Sequence, residues 1–254
     1  MKKSLLLLGI LGCYSQSSMA VTTFTLANLL PAGTTVATAQ SNFRTISEDF
    51  GAAFSYKPVT PAAALGITGF DVGIEVSGTD VSKSSTVWQT LTGTSSPGTL
   101  PIAKLTAAKG LPFGIDISAF YAGDPTGTTN ISLTGAALSY AILEGDALEP
   151  ALTVRAATTK LNGINEYSLG TKSLDISFSK GFIGITPYIG AGQVWVDSST
   201  SNTTLTTAGL TAESFSQSKV FAGLNINLGL PNFAIEADTT GNIATYSVKL
   251  GLRW

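Results

Sequence analysis

A chain of 254 residues with a net charge of −2 and only 12% charged residues lacks the clustered Lys and Arg that hold nucleic acid. Hydrophobic residues make up 44% of it, yet no window beyond residue 20 approaches the run of about 18 apolar residues that marks a spanning helix. It contains no His, which excludes Ser-His-Asp and Cys-His catalysis and His-bearing zinc sites; with no Gly-x-Ser-x-Gly, phosphate-loop or EF-hand motif either, neither enzyme activity nor a cofactor is expected.

The chain opens on Met1-Lys2-Lys3, an apolar run from Leu5 to Gly12, and a polar stretch ending in Met19-Ala20. This is the layout of a secretory signal peptide over 1–20, with Ser18 and Ala20 as the small residues at the cleavage site. Ile10-Leu11-Gly12-Cys13 offers a competing reading, in which Cys13 is lipidated. Cleavage after Ala20 removes the sole cysteine, so no disulfide is expected. Residues 21–45 follow as an N-terminal segment, with short helices over 26–30 and 36–46.

From residue 46 onward the pattern has a period of two. In 70–77, Phe70, Val72, Ile74 and Val76 alternate with Asp71, Gly73, Glu75 and Ser77. Similar alternation places strands near 48–57, 66–78, 111–122, 129–145, 149–161, 166–180, 183–197, 215–230, 231–240 and 243–254. Many exceed the five or six residues of ordinary strands and reach the nine or so that cross a bilayer. Their polar faces carry Gly, Ser, Thr and Asn, which suits a crowded interior better than open solvent. Two segments break phase: 129–145 around Gly135-Ala136-Ala137, and 166–180, where Lys172 shares a face with Leu174, Ile176 and Phe178. A bulge, or different strand boundaries, is the expected remedy in each. In the last hairpin, Thr239 to Asn242 form the turn, and Ile235 is expected opposite Tyr246, with Phe233 opposite Val248.

The last strand has Tyr246, Val248, Leu250, Leu252 and Trp254 on one face, ending in an aromatic residue. That is similar to the signal by which the barrel-assembly machinery recognises outer-membrane proteins. The fold class expected is all-β: an antiparallel transmembrane β-barrel over 46–254, of ten strands, or twelve if the long stretch 79–110 hides a pair. The segment 21–45 is then an N-terminal extension or a plug in the lumen. Alternation back from a periplasmic C-terminus makes 197–212 a long extracellular loop and 180–181 and 229–232 tight periplasmic turns. On that count 79–110 falls on the periplasmic side, where a long segment is out of place. Tyr56, Tyr121, Tyr246 and Trp254 fall at strand ends, as interface girdles do.

Gly69-Phe70-Asp71-Val72-Gly73, Lys109 to Gly114, Pro150 to Arg155 and the closing Lys249-Leu250-Gly251-Leu252-Arg253 resemble a group of poorly characterised proteobacterial outer-membrane barrel proteins. The resemblance spans about Phe50 to Trp254. It implies a barrel and an outer-membrane address, and brings no substrate and no functional residue.

Alternation points Asp71, Glu75, Asp116, Arg155, Asp175, Glu236, Asp238, Lys249 and Arg253 into the lumen. They form either a constriction that selects solutes or an internal network of paired charges. Arg155 stands alone among acidic neighbours, with Asp175 its expected strand partner. Two functions follow: a narrow channel or transporter for small solutes, or a closed structural or interaction barrel without transport. The expected partners are outer-membrane lipid and lipopolysaccharide, the assembly machinery and small solutes, with no nucleic acid.

Overall fold

A computed structural model describes residues 26–93, 96–123, 130–145 and 149–254. The expected signal sequence, its cleavage site and Cys13 lie outside the described residues. Ten antiparallel strands close on themselves: β1 (Phe70–Asp80), β2 (Thr99–Gly110), β3 (Ile115–Gly123), β4 (Ser132–Leu143), β5 (Ala151–Asn162), β6 (Tyr167–Ser179), β7 (Ile185–Thr200), β8 (Glu213–Asn227), β9 (Pro231–Thr240) and β10 (Ile243–Arg253). Each strand pairs with its sequence neighbours, and β1 pairs with β10, so no strand edge is left open. At the seam Phe70 and Trp254 exchange backbone hydrogen bonds of 2.8 and 3.0 Å, and their rings stack at 5.2 Å.

Three α-helices accompany the strands among the described residues: α1 (Val36–Phe54), α2 (Ser85–Thr92) and α3 (Thr203–Ala208). One end of the barrel carries the segments 81–98 and 201–212, which hold α2 and α3. The other end has the shorter connections 111–114, 180–184 and 228–230. That first end also has the tight turns 163–166 and 241–242, but both helix-bearing connections lie there, and in outer-membrane barrels the long loops face outward. We call the two ends outer and inner accordingly.

The predicted strand 48–57 does not form. Phe43, Ile46, Ser47, Phe50 and Phe54 recur at helical spacing, and all are buried on one face of α1. The count of ten survives because a strand was hidden in 79–110: a single β2, not a pair. Its inner face mixes Leu100 and Ile102 with Lys104 and Thr106, and Pro101 interrupts the outer face, so no clean alternation marks it. With β2 restored, 81–98 becomes an outer connection, and the long periplasmic segment disappears.

Neither expected bulge is present where the phase breaks. Between Ser132 and Ala141, β4 runs in unbroken register with β5; the shift lies between Ala141 and Leu143. Leu133 is simply an inward apolar residue, buried against the contents of the lumen. β6 pairs without interruption on both sides, and Lys172 points outward with Leu174. The last hairpin turns one residue later than expected. Thr240 pairs with Ile243 across Gly241-Asn242, and the register moves by two, so Val248 faces Ile235 and Leu250 faces Phe233. Gly241 at φ +61 supplies the positive φ that a two-residue turn requires.

The outer surface is an apolar band. Val72, Ile74, Val76, Leu138, Leu174, Ile176, Phe178, Ile189, Val220, Val248, Leu250 and Leu252 are all exposed. A continuous apolar surface around a closed barrel has no place in water and matches hydrocarbon. Tyr121, Tyr246 and Trp254 stand outward near strand ends. Tyr56 does not join them: it is buried in the lumen, its hydroxyl 2.7 Å from Ser118 Oγ.

Inside, glycines make room for rings. A Cβ on Gly190 would meet the Phe221 ring at 2.2 Å and the Ile176 carbonyl at 2.7 Å. This is the close approach that the Gly190-Ala191-Gly192 run suggests. Gly190→Ala is therefore expected to destabilise the barrel by about 1–3 kcal/mol. The urea midpoint of the heat-modifiable band tests this, and an unchanged midpoint counts against the packing described.

Candidate functional site: the plugged lumen

The N-terminal segment passes through the barrel. Helix α1 begins at the outer end, where Thr35 Oγ1 caps it by accepting from Thr38 N. There Gln40 Nε2 donates to the Thr211 carbonyl and to Glu213. Arg44 pairs with Glu48 at 2.7 Å and with Glu213 at 3.1 Å, and its guanidinium lies over the Phe215 ring. Deeper in, Phe43, Ile46, Phe50 and Phe54 pack on Leu133, Leu161, Leu169, Val194 and Val196 of the wall. These wall residues are apolar because they face the rings of a helix rather than water; buried hydroxyls such as Thr79, Thr171 and Ser198 stand among them, and Ser198 Oγ donates to Ser47 Oγ of the helix at 2.7 Å.

Helix α2 covers the mouth. Trp88 is fully buried against Phe50, with ring centroids 5.3 Å apart, and its Nε1 donates to Asp49 Oδ2 at 2.7 Å. Ser84 Oγ donates to the other oxygen at 3.1 Å. Asp49 belongs to the plug rather than to a spanning strand. Burial pushes its carboxyl up from 3.8 to about 6, against the two hydrogen bonds, which act to lower it. A raised folded-state pKa favours the protonated form. That contribution to stability is complete below about pH 4 and is lost as the pH rises through about 6. Asp49→Asn keeps an acceptor for Trp88 and is expected to abolish this term, on the order of 2 kcal/mol. Unfolding of both proteins at pH 4.5 and 7.5 checks it; an equal pH response would refute the assignment.

Beyond Phe54 the chain runs extended along the lumen to the inner end, hydrogen-bonded to the wall at each step. Lys57 Nζ meets Asp238 Oδ1 at 3.0 Å and the Ala52 carbonyl at 2.7 Å. Lys219 Nζ donates to the Tyr56 carbonyl at 2.8 Å and lies 3.5 Å from Asp175. Val59 N donates to Glu236 Oε2 at 3.0 Å, and Val59 itself is held at φ +41, an unfavourable angle for a β-branched residue. Ala62 N donates to Ser179 Oγ, and Leu65 N to both oxygens of Asp116 at 3.2 Å. Arg253 closes the inner end, donating to Thr60 Oγ1 at 2.7 Å and to the Ala63 carbonyl at 3.2 Å.

All the charges that alternation pointed inward lie on the inner face, and the structure divides them. Asp116, Asp175, Glu236, Asp238 and Arg253 act on the plug, directly or through Lys219. Asp71 pairs with Lys249 at 2.6 Å, and Glu75 with Lys104 at 2.6 Å, as wall-to-wall contacts. Arg155 does not form the expected ion pair with Asp175, although the two are opposite in register. Its Nε donates to Ser139 Oγ at 3.1 Å, and its Nη1 has no hydrogen-bond partner among the described residues. It borders a cavity of about 50 Å³ shared with Tyr56, Thr60, Asp116, Ser118 and Thr153. That is room for a few waters at most. Lys57, Lys104 and Lys219 were absent from the sequence-level candidates. Lys219 sits on the same alternating face as Phe221 and Gly223, so its place was readable. Lys57 ends the expected strand 48–57, which does not form, so alternation gave no such signal for it.

No protein-family model matches the chain, and no curated protein matches it. Solved structures that resemble it are barrels. The N-terminal β-barrel domain of Pseudomonas aeruginosa OprF covers 74% of this chain and 99% of its own at 12% identity and a TM-score of 0.38. The outer membrane protein OprG of the same organism covers 77% and 99% at 11% identity and 0.35. The attachment invasion locus protein Ail of Yersinia pestis covers 73% and 97% at 14% identity and 0.25. Likeness at these scores carries no argument about function. Closure of the sheet, the apolar outer surface and the asymmetry of the two ends make the chain a ten-stranded transmembrane β-barrel of the outer-membrane type.

Proposed function

We propose that the chain is an outer-membrane barrel sealed by its own N-terminal segment, a non-conducting, non-catalytic barrel that works through the surfaces it presents. One observation carries this reading: residues 36–65 fill the lumen from the outer mouth to the inner end, tied to the wall by apolar packing and by buried ion pairs. A passing solute would need a continuous wet path, and the side chains that would line it are spent on the plug. The sequence resemblance to outer-membrane barrels supports the same address. The last strand, with Tyr246, Val248, Leu250, Leu252 and Trp254 outward, is the part offered to the assembly machinery. The outer layer formed by 81–98 and 201–212 is the surface offered to partners.

The test is planar-bilayer conductance of refolded residues 21–254, with folding verified by heat-modifiable migration. Silence is expected. Discrete steps from the intact chain would overturn the sealed reading in favour of a narrow channel for small solutes.

A further inference from the structure

Lys172 broke the sequence pattern, and its position has a meaning. On β6 the outward residues from the outer end are Ser168, Gly170 and Lys172, and the apolar series Leu174, Ile176, Phe178 begins just below. On β5 the outward series runs Leu152, Val154, Ala156, Thr158 and Lys160. Thr158 is opposite Lys172, and Gly170 is opposite Lys160, so the two lysines are diagonal neighbours on one face. Both stand at the outer boundary of the apolar band; Trp195 is opposite Lys172 on β7, and Asp197, opposite Gly170, is a diagonal neighbour of Lys172 as Lys160 is. Among the described residues neither lysine has a salt-bridge partner. Asp197 shares the patch, and its Oδ1 accepts from Ser214 Oγ at 2.7 Å.

Below the lysines the band is hollowed. Lys172, Thr158, Ala136, Ala119 and Ala107 form one cross-strand row over five strands. Ile117 and Leu138 flank it on the inner side, Phe70 and Lys109 lie at its far end, and the depression is shallow and open to the surroundings. A paired cationic patch at headgroup level, continuous with an apolar groove at acyl level, is complementary to one class of molecule. We propose that β2–β6 bind a phosphorylated, multiply acylated lipid of the outer leaflet, with phosphate on Lys160 and Lys172 and an acyl chain along the row from Ala107 to Thr158. Lysine at the edge of a bilayer attracts anionic headgroups, and its alkyl stem covers apolar surface. The proposal rests on the outer-membrane reading above, and on the outward orientation of these strands.

Native mass spectrometry of refolded 21–254 in detergent, titrated with diphosphorylated lipid A, tests it. Saturable one-to-one binding is expected, weakened about thirtyfold in the K160Q/K172Q double variant. Dephosphorylated lipid A is expected to bind wild type as weakly. Ala119→Phe, which fills the groove and keeps both lysines, is expected to weaken binding independently. Lys83→Gln, on an outer connection away from the groove, is expected to change nothing. Equal binding by the double variant, or equal binding of phosphatidylglycerol and lipid A, would overturn the proposal. A chain that never shows heat-modifiable migration would instead count against the barrel reading itself.

Discussion

Deleting residues 26–54 is expected to turn a silent barrel into a conducting one. Eight strands leave an interior that side chains just fill, and ten leave more. Here the surplus in the outer half is taken up by α1, whose buried face carries Phe43, Ile46, Phe50 and Phe54. Without the helix, Leu133, Leu161, Leu169, Val194 and Val196 line an open outer vestibule. What then limits the current is the extended segment and the charged belt at mid-height. Arg155→Ala in the deleted protein is expected to shift the ion selectivity of those steps toward cations, because a lumenal guanidinium is lost. A folded but silent deletion variant would mean that the remaining segment alone seals the barrel. Phe50→Ala is the milder probe. It removes a ring packed at once on Phe54, Trp88 and Tyr167, and a buried aromatic of this kind is worth about 3–5 kcal/mol. Brief openings of the intact-length protein are the expected result.

Lys57→Met is the substitution expected to cost most stability for its size. Both partners of the Lys57–Asp238 pair are fully buried. Removal of the ammonium leaves Asp238 with the Thr240 hydroxyl at 3.2 Å and an Oδ2 that has no hydrogen-bond partner among the described residues. Breaking one side of such a pair costs about 3–5 kcal/mol, whereas replacing both sides with apolar groups is often neutral. The double variant Lys57→Met/Asp238→Leu should therefore recover most of the loss. Urea unfolding followed by heat-modifiable migration measures both. A loss below about 1 kcal/mol in the single variant would show that water reaches the pair and that the lumen is wetter than its packing implies.

The two experiments separate plug from wall. Conductance reads whether α1 occupies the lumen. Stability reads whether the extended segment is part of the folded structure or a guest in it. The ion pair and the hydrogen bonds to Val59, Ala62 and Leu65 predict the second as firmly as the helix predicts the first.

Alternation by itself marked nine of the ten spanning strands, with their outward faces and the inward set from Asp71 to Arg253, and placed a tenth wrongly over the helical residues 48–57. The reason is local: the pleat forces neighbouring side chains to opposite faces, and lipid outside and protein inside demand opposite chemistry. β2 escaped because its inner face meets both the apolar plug and buried Glu75, so Leu100 and Lys104 share a face that no single environment would pair. Lys172 looked like an error of phase because the pattern does not mark where the hydrocarbon ends. Whether 21–45 trailed outside or entered the barrel, and that Lys57 would neutralise Asp238 across 181 positions of sequence, depended on contacts between distant segments. Those are decided by which surfaces meet when the sheet closes, and only the closed barrel shows that its lumen is a core built around its own N-terminal chain.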